Sequence, residues 1–249
     1  MVGFGAIFGR VGKIIAGSIL IWSSIAIRDL AVHARRVVDA LKQGDLKRAR
    51  EGVGMIVGRE TENLDAAGVA RAATESVAES FVDSIAAPLF WAVLLGPLGT
   101  LGYRAANTMD SMFGHKTEQY LHFGRVSAKI DDWLTWIPAR LAGVVCCFAG
   151  VFVGGSIQRA LQVFFRDRLK HESPNSAHGE AAFAGALTVR LGGPTVYKEG
   201  TIDKPWIGEG LEPGKKLLPC DKRIIDRAIH LMIISALLWA GLLLHFALC

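Results

Sequence analysis

The sequence predicts an all-α, polytopic integral membrane protein, and three observations carry that reading. Hydrophobic residues make up 51% of its 249 residues, and the mean hydropathy is +0.33. Charged residues are 20%, below the roughly one quarter of an average soluble domain. Those charges vanish from four stretches and crowd between them, and no alternation of period two marks a strand series. The chain reads as a single membrane-embedded domain over 1–249. Its apolar runs are 14–27, 85–103, 141–157 and 229–248, and its polar segments are 28–84, 104–140 and 158–228.

The first run follows Arg10 and Lys13 and stops at Arg28-Asp29. It is short enough to resemble a signal peptide, but Ser-Ser-Ile-Ala-Ile before Arg28 is a poor cleavage site. An uncleaved anchor, with a helix continuing straight past it, is the expectation. In the segment that follows, Leu30, Ala34, Val37, Val38 and Leu41 recur at helical spacing, with Arg35, Arg36, Asp39 and Lys42 opposite them. Gly44 ends that helix and Asp45 caps the next, which carries Leu46, Ala49, Val53 and Ile56. A third helix is expected over Leu64–Val82.

The run 85–103 has no charge over nineteen residues, yet Gly96-Pro97-Leu98-Gly99 interrupts it. It reads either as a kinked span or as a re-entrant hairpin of two half-helices, which membranes tolerate where protein covers the bend. The run 141–157 is free of charge and has Trp133 and Trp136 before it as interface anchors. The run 229–248 is twenty residues long, the length of about one bilayer crossing. Segment 158–228 is rich in Pro and Gly and reads as loops with short helices.

The net charge of +5 comes from basic residues spread between the apolar runs. That is the pattern of membrane topology, without an aromatic-interleaved basic patch, so nucleic acid is not an expected partner. Cys146, Cys147, Cys220 and Cys249 have no ligand or disulfide spacing. His33, His230 and His245 read as packing or interfacial residues. His115, His122, His171 and His178 fall in the polar segments, read as loops, and have no metal spacing. Phosphate-loop, zincin, nucleophile-elbow and kinase motifs are all absent.

The remaining chemistry lies in the acids. Glu75, Glu79 and Asp83 recur at i, i+4 and i+8, which stacks three carboxylates on one helix face as the chain enters an apolar run. Carboxylates entering a membrane are costly and face a cavity or a partner. Holding Mg²⁺ on a phosphate is a natural use for them; a solvated face paired with Arg71 is the structural alternative. Asn107 and Asp110, then Asp131-Asp132 and Arg140, repeat the pattern at the ends of two further apolar runs, which suggests a common metal–phosphate pocket. Arg59 offers a guanidinium that forks onto phosphate or carboxylate. Ser173-Pro174-Asn175 and Arg190-Leu191-Gly192-Gly193-Pro194 are loop pieces that let backbone approach a large ligand.

These pieces in this order resemble the adenosylcobinamide-phosphate synthases of cobalamin biosynthesis. The resemblance covers roughly residues 25 to 210. It rests on Val57-Gly58-Arg59-Glu60-Thr61, Glu75-Ser76-Val77-Ala78-Glu79 and Ala87-Pro88-Leu89-Phe90-Trp91. It continues through Asn107-Thr108-Met109-Asp110-Ser111-Met112, Phe123-Gly124, Asp131-Asp132 and Ile137-Pro138-Ala139-Arg140-Leu141. Last come Ser173-Pro174-Asn175, Glu180-Ala181-Ala182, Ala184-Gly185-Ala186-Leu187 and Val189-Arg190-Leu191-Gly192-Gly193-Pro194. Ser80, Ser84 and Thr135 stand where the family usually has Asn, Gly and Asn. The family's opening segment, a His-Pro-Val block with a further apolar stretch, has no counterpart here.

The resemblance implies a cell-membrane ligase that uses ATP and Mg²⁺ to join a propionate of adenosylcobyric acid, a corrinoid, to the amine of aminopropanol or its phosphate. On that reading Glu79, Asp83 and Asp110 are metal ligands, Arg59 and Arg140 phosphate clamps, and Glu75 a base. Asn107, Asn175 and Arg190 bind substrate. The lipid bilayer, and other membrane enzymes of the pathway, are the expected partners. Two readings compete: a membrane sensor on a related scaffold, which motifs pointing apart would favour, and another Mg²⁺-dependent membrane transferase, which needs the acids to face a lipid-open cavity.

Overall fold

The computed structural model describes residues 2–113, 121–197, 200–209 and 217–249; His115 lies outside them. The chain is helical almost throughout. Its helices are α1 (Val2–Ser23), α2 (Ile27–Lys42), α3 (Leu46–Gly54), α4 (Ala66–Phe81), α5 (Ala87–Phe113), α6 (Leu121–Ala149), α7 (Ile157–Asp167), α8 (Ser176–Leu187) and α9 (Lys222–Leu248). Among the described residues, four helical stretches are long and apolar enough to cross a membrane: Val11–Lys42, Ala66–Phe113, His122–Val153 and Lys222–Leu248.

The helix of the first apolar run does not continue straight past it. Ser24–Ala26 breaks the chain between α1 and α2, where the Ser23 and Ser24 hydroxyls bond back to the Leu20 carbonyl. Such back-bonding bends helices. Beyond the break, α2 buries Leu30, Ala34, Val37 and Val38 as its periodicity requires. Gly44, at φ 73°, ends it, and the Asp45 carboxylate caps α3 by accepting from the Arg48 N–H at 2.9 Å.

The run 85–103 folds back on itself as a hairpin, the shape that the re-entrant reading expects. Gly96 sits at φ 66°, ψ −159°, a conformation open only to glycine. The Thr100 hydroxyl reaches the Pro88 carbonyl at 3.3 Å, whereas twelve residues of straight helix would separate them by about 18 Å. The two halves of α5 therefore fold back on each other. Leu94, Leu95 and Leu98 stay exposed at the bend, as befits side chains that meet lipid. Between α4 and α5 the chain makes one π-helical turn, Val82–Ala86, which contains Asp83. An inserted residue of this kind re-aims the side chains on either side of it.

Segment 158–228 is more ordered than its composition suggested. Every residue of α8 from Ala177 to Leu187 is buried. Its glycines allow this: a side chain at Gly179 would strike the Ala78 carbonyl of α4, and one at Gly185 the Ala160 backbone of α7. Small residues let helix backbones approach closely in this way. Two short antiparallel pairs follow, β1 (Leu191–Gly192) with β4 (Trp206–Ile207), and β2 (Thr195–Tyr197) with β3 (Gly200–Ile202). At two or three residues each, they are too short for alternation to be visible in sequence. The Glu60 N–H donates to the Val196 carbonyl, which ties the loop before α4 to β2. Then α9 runs along α4, with the Trp239 indole N–H on the Ala86 carbonyl at 2.9 Å.

Candidate active site

Two cavities adjoin where α4, the base of the α5 hairpin, α6 and the start of α8 meet, and Glu79 lines both. The first, about 210 Å³, carries mixed charge: Arg59, Glu75, Glu79, Lys170, His171, Glu180 and Lys204 face it, with Thr195 and Tyr197. The second, about 130 Å³, is lined by Glu79, Asp83, Asp110, Asp131 and Asp132 together with Ser173, Asn175 and Ser176.

The hairpin explains the second cavity. By reversing at Gly96, α5 returns Asn107 and Asp110 to the level of Asp83, so acids on either side of an apolar run share one space. The Asn107 amide donates to Asp131 at 3.2 Å and accepts from Arg104 at 3.2 Å. Asn175 donates to the Asp132 carbonyl at 2.8 Å and to its carboxylate at 3.2 Å, and Ser173 holds the same carboxylate at 3.0 Å. The charges of Asp131, Glu79 and Asp110 all act on Asp83. Among the described residues no three acids, histidines or cysteines converge as a ready-made metal shell. The donor set is nonetheless all oxygen, as Mg²⁺ requires, and that ion keeps several waters and takes only one or two carboxylates beside phosphate oxygens.

In the first cavity Glu75 is fully committed. It pairs with Arg59, accepts from the Gly192 N–H at 2.6 Å and faces Arg71 at 3.8 Å. A carboxylate so occupied orients its neighbours, and the role of base finds no support in this geometry. Arg59 also reaches the Thr195 hydroxyl at 3.4 Å. Lys170 is held by Asp167 at 2.8 Å. Burial and the charge of Lys204 lower His171, which favours its neutral ring. Burial works against the charge on Lys204, but Tyr197 and the charges of Glu180 and Glu79 outweigh it.

Other residues singled out in the sequence sit elsewhere. Arg140 lies over the Trp136 ring at 4.0 Å and donates to Asn175 at 3.2 Å; it supports a wall of the second cavity without lining it. Arg190 lies over Trp206 at 4.2 Å and pairs with Glu209 at 3.2 Å on the surface, outside both cavities. His122 lies in α6 and His178 in α8, not in loops; His178 is buried edge-on to Phe164. Glu180 and Lys204 were not given roles by sequence reasoning. The block Glu180-Ala181-Ala182 pointed to the first, and nothing in sequence pointed to the second.

The family model described as CobD/Cbib protein matches residues 2–232. A cobalamin biosynthesis protein CobD of Desulfotalea psychrophila is 41% identical over 239 residues, 90% of this chain and 72% of that protein. Proteins of the same name from Rhodobacter capsulatus and Clostridium perfringens are 47% and 46% identical over 78% and 80% of this chain. The chain spans 60% and 63% of their respective lengths. No solved structure matches it.

Proposed function

The chain belongs to the CobD/Cbib protein family, and from that premise we propose that it works in cobalamin biosynthesis as an adenosylcobinamide-phosphate synthase, an ATP-dependent carbon–nitrogen ligase of the cell membrane. The observation that carries the reading is the position of Glu79, shared by an acid-lined cavity and a cavity of mixed charge. An amide-forming ligase needs two such places. One holds the triphosphate tail while a carboxylate oxygen attacks its terminal phosphorus and ADP leaves; the other holds the amine, which then attacks the acyl carbon, loses a proton and expels inorganic phosphate. The convergence of Glu79, Asp83 and Asp110 on one cavity supports the ligase over the sensor alternative, which motifs pointing apart would have favoured.

On this reading Glu79, Asp83 and Asp110 would hold a hydrated Mg²⁺ with ATP. Bound there, the ion would supply neutralisation of charge on the phosphoryl group in flight. Asp131 and Asn107 brace that cavity from α6 and α5, and Arg140 fixes Asn175, which in turn fixes Asp132. Arg59, held by Glu75, presents its guanidinium to the first cavity. At about 210 Å³ that cavity is smaller than the roughly 300–1,000 Å³ that encloses a drug-sized ligand. A corrinoid therefore lies across its mouth, and only a propionate arm enters.

The test is rescue of cobalamin synthesis in a cell unable to convert cobyric acid to cobinamide. Wild type should rescue, and Glu79→Gln should not, with turnover lowered by roughly 10²–10³-fold and membrane insertion unchanged. Arg36→Gln, on the exposed face of α2, should rescue fully. Rescue by Glu79→Gln equal to wild type would remove the shared-site reading. Failure of wild type extended to the full length of its relatives, with insertion verified, would count against the ligase.

A further inference from the structure

Glu180 is the anomaly of the first cavity. It is 8% exposed and projects from α8 into the cavity that Arg59 and Lys204 also line. Among the described residues it has neither a hydrogen bond nor an ion pair. Its neighbour Glu75 has the Arg59 guanidinium and the Gly192 N–H, and Glu79 opens onto both cavities. Burial, then the like charges of Glu75 and Glu79, push Glu180 well above the usual carboxylate range, against the pull of Lys204 and Arg59. A buried acid without a partner is a standing cost to the fold. A ligand that brings a cation removes that cost.

We propose that Glu180 is the anchor for the ammonium group of the small amine substrate, and that Lys204 holds an anionic group on the same molecule. The cavity is then a zwitterion site, sized for a phosphorylated amino alcohol and too small for a nucleotide. The identity of the amine rests on the ligase reading, but the charge pattern does not. Arg59 faces the same space while tied to Glu75, and Lys170 while tied to Asp167; among the described residues of the cavity, Lys204, whose partner is the Tyr197 hydroxyl, is the cation without an acid bound to it. Glu180 selects for the ammonium and Lys204 for the phosphate, so each half can be removed separately.

The experiment is calorimetric titration of the full chain in detergent, without ATP or corrinoid, using two probes. One is aminopropanol phosphate; the other is 2-butyl phosphate, in which a methyl group replaces the ammonium. Wild type should prefer the first by about ten- to a hundredfold, the worth of one charge-assisted hydrogen bond. Glu180→Gln should erase that preference while binding 2-butyl phosphate at least as well as wild type, which also shows that the variant is folded. Lys204→Gln should weaken both probes alike. A Glu180→Gln protein that keeps the preference, or that loses both probes, overturns the assignment, as does a wild type that binds neither. A wild type that discriminates as expected yet makes no amide with ATP and cobyric acid supports the site and sinks the ligase instead.

Discussion

Two buried carboxylates, at the end of α7 and on α8, have opposite fates. Asp167 is 0% exposed and fully partnered. Arg166 donates to its two oxygens at 2.7 Å, the Gly208 N–H to one of them at 2.7 Å, and Lys170 lies 2.8 Å away. Burial alone would raise Asp167, but these partners outweigh it and hold it below the ordinary range. Glu180, no more accessible in any useful sense, has no such partners and is pushed up. Depth does not decide the state of a buried acid; the donors around it do. Where β4 docks on α7 the fold surrounds Asp167 with donors, and on α8 it leaves Glu180 without them. Openness is the mark of the binding region.

The largest expected effect comes from breaking the closed region. Asp167→Asn should lower stability by about 2–3 kcal/mol, less than a wholly buried pair because Arg166 and Lys170 are each about a third exposed. Glu180→Gln should be neutral or stabilising, since it deletes a buried charge that the pull of Lys204 and Arg59 does not offset. Melting in detergent against pH sharpens the contrast. The contribution of Asp167 is complete above its unfolded value of about 3.9 and is lost as pH falls through its depressed folded value. Wild type and Glu180→Gln should melt together at low pH. Wild type should then fall behind as pH rises from the unfolded value of about 4.3 toward the raised folded one. Parallel curves would make the two acids equivalent and end the comparison.

The open region was partly legible in sequence. The spacing of Glu75, Glu79 and Asp83 put three acids on one face, and all three line a cavity. It could not show that Glu75 is sequestered, because its partners Arg59 and Gly192 are 16 and 117 residues away in the chain. Gly96-Pro97 announced a break but not its sense; a hydrogen bond across twelve residues decides between kink and hairpin. The helix α8 escaped notice because its small residues show no period, and helix and loop look alike in such a run. Glu180 owes its importance to that same helix, and Lys204 to a strand pairing too short to read.

The hairpin offers the next test. A side chain at Gly96 would meet nothing within 4 Å, so Gly96→Ala isolates backbone strain, about 1–3 kcal/mol for a residue forced into that region. Relief by straightening would carry Asn107 and Asp110 away from Asp83. Melting should drop by that amount, and cobinamide formation should fall with it, while aminopropanol phosphate binding at Glu180 persists because α8 does not touch the bend. Loss of activity without loss of stability would mean that Gly96 serves the chemistry directly rather than through the hairpin.

The smallest effect is expected at Arg190, and it bears on where the open region ends. From its loop in sequence, Arg190 was a substrate-binding candidate; in the fold its guanidinium lies over the Trp206 ring at 4.2 Å and pairs with Glu209 at 3.2 Å. Both partners are satisfied on the surface, the pattern of the closed region. A cation over an exposed ring contributes about 0.5–1 kcal/mol, and a half-exposed ion pair about 0–1 kcal/mol. Arg190→Gln should therefore cost no more than about 1 kcal/mol in melting and leave KM for the amine and for cobyric acid unchanged. A rise in KM for the corrinoid alone, with kcat and stability intact, would extend the binding region outward over Trp206 to the place where the body of a large substrate must lie. An unchanged KM confines recognition to the two cavities and to the residues that Glu79 joins.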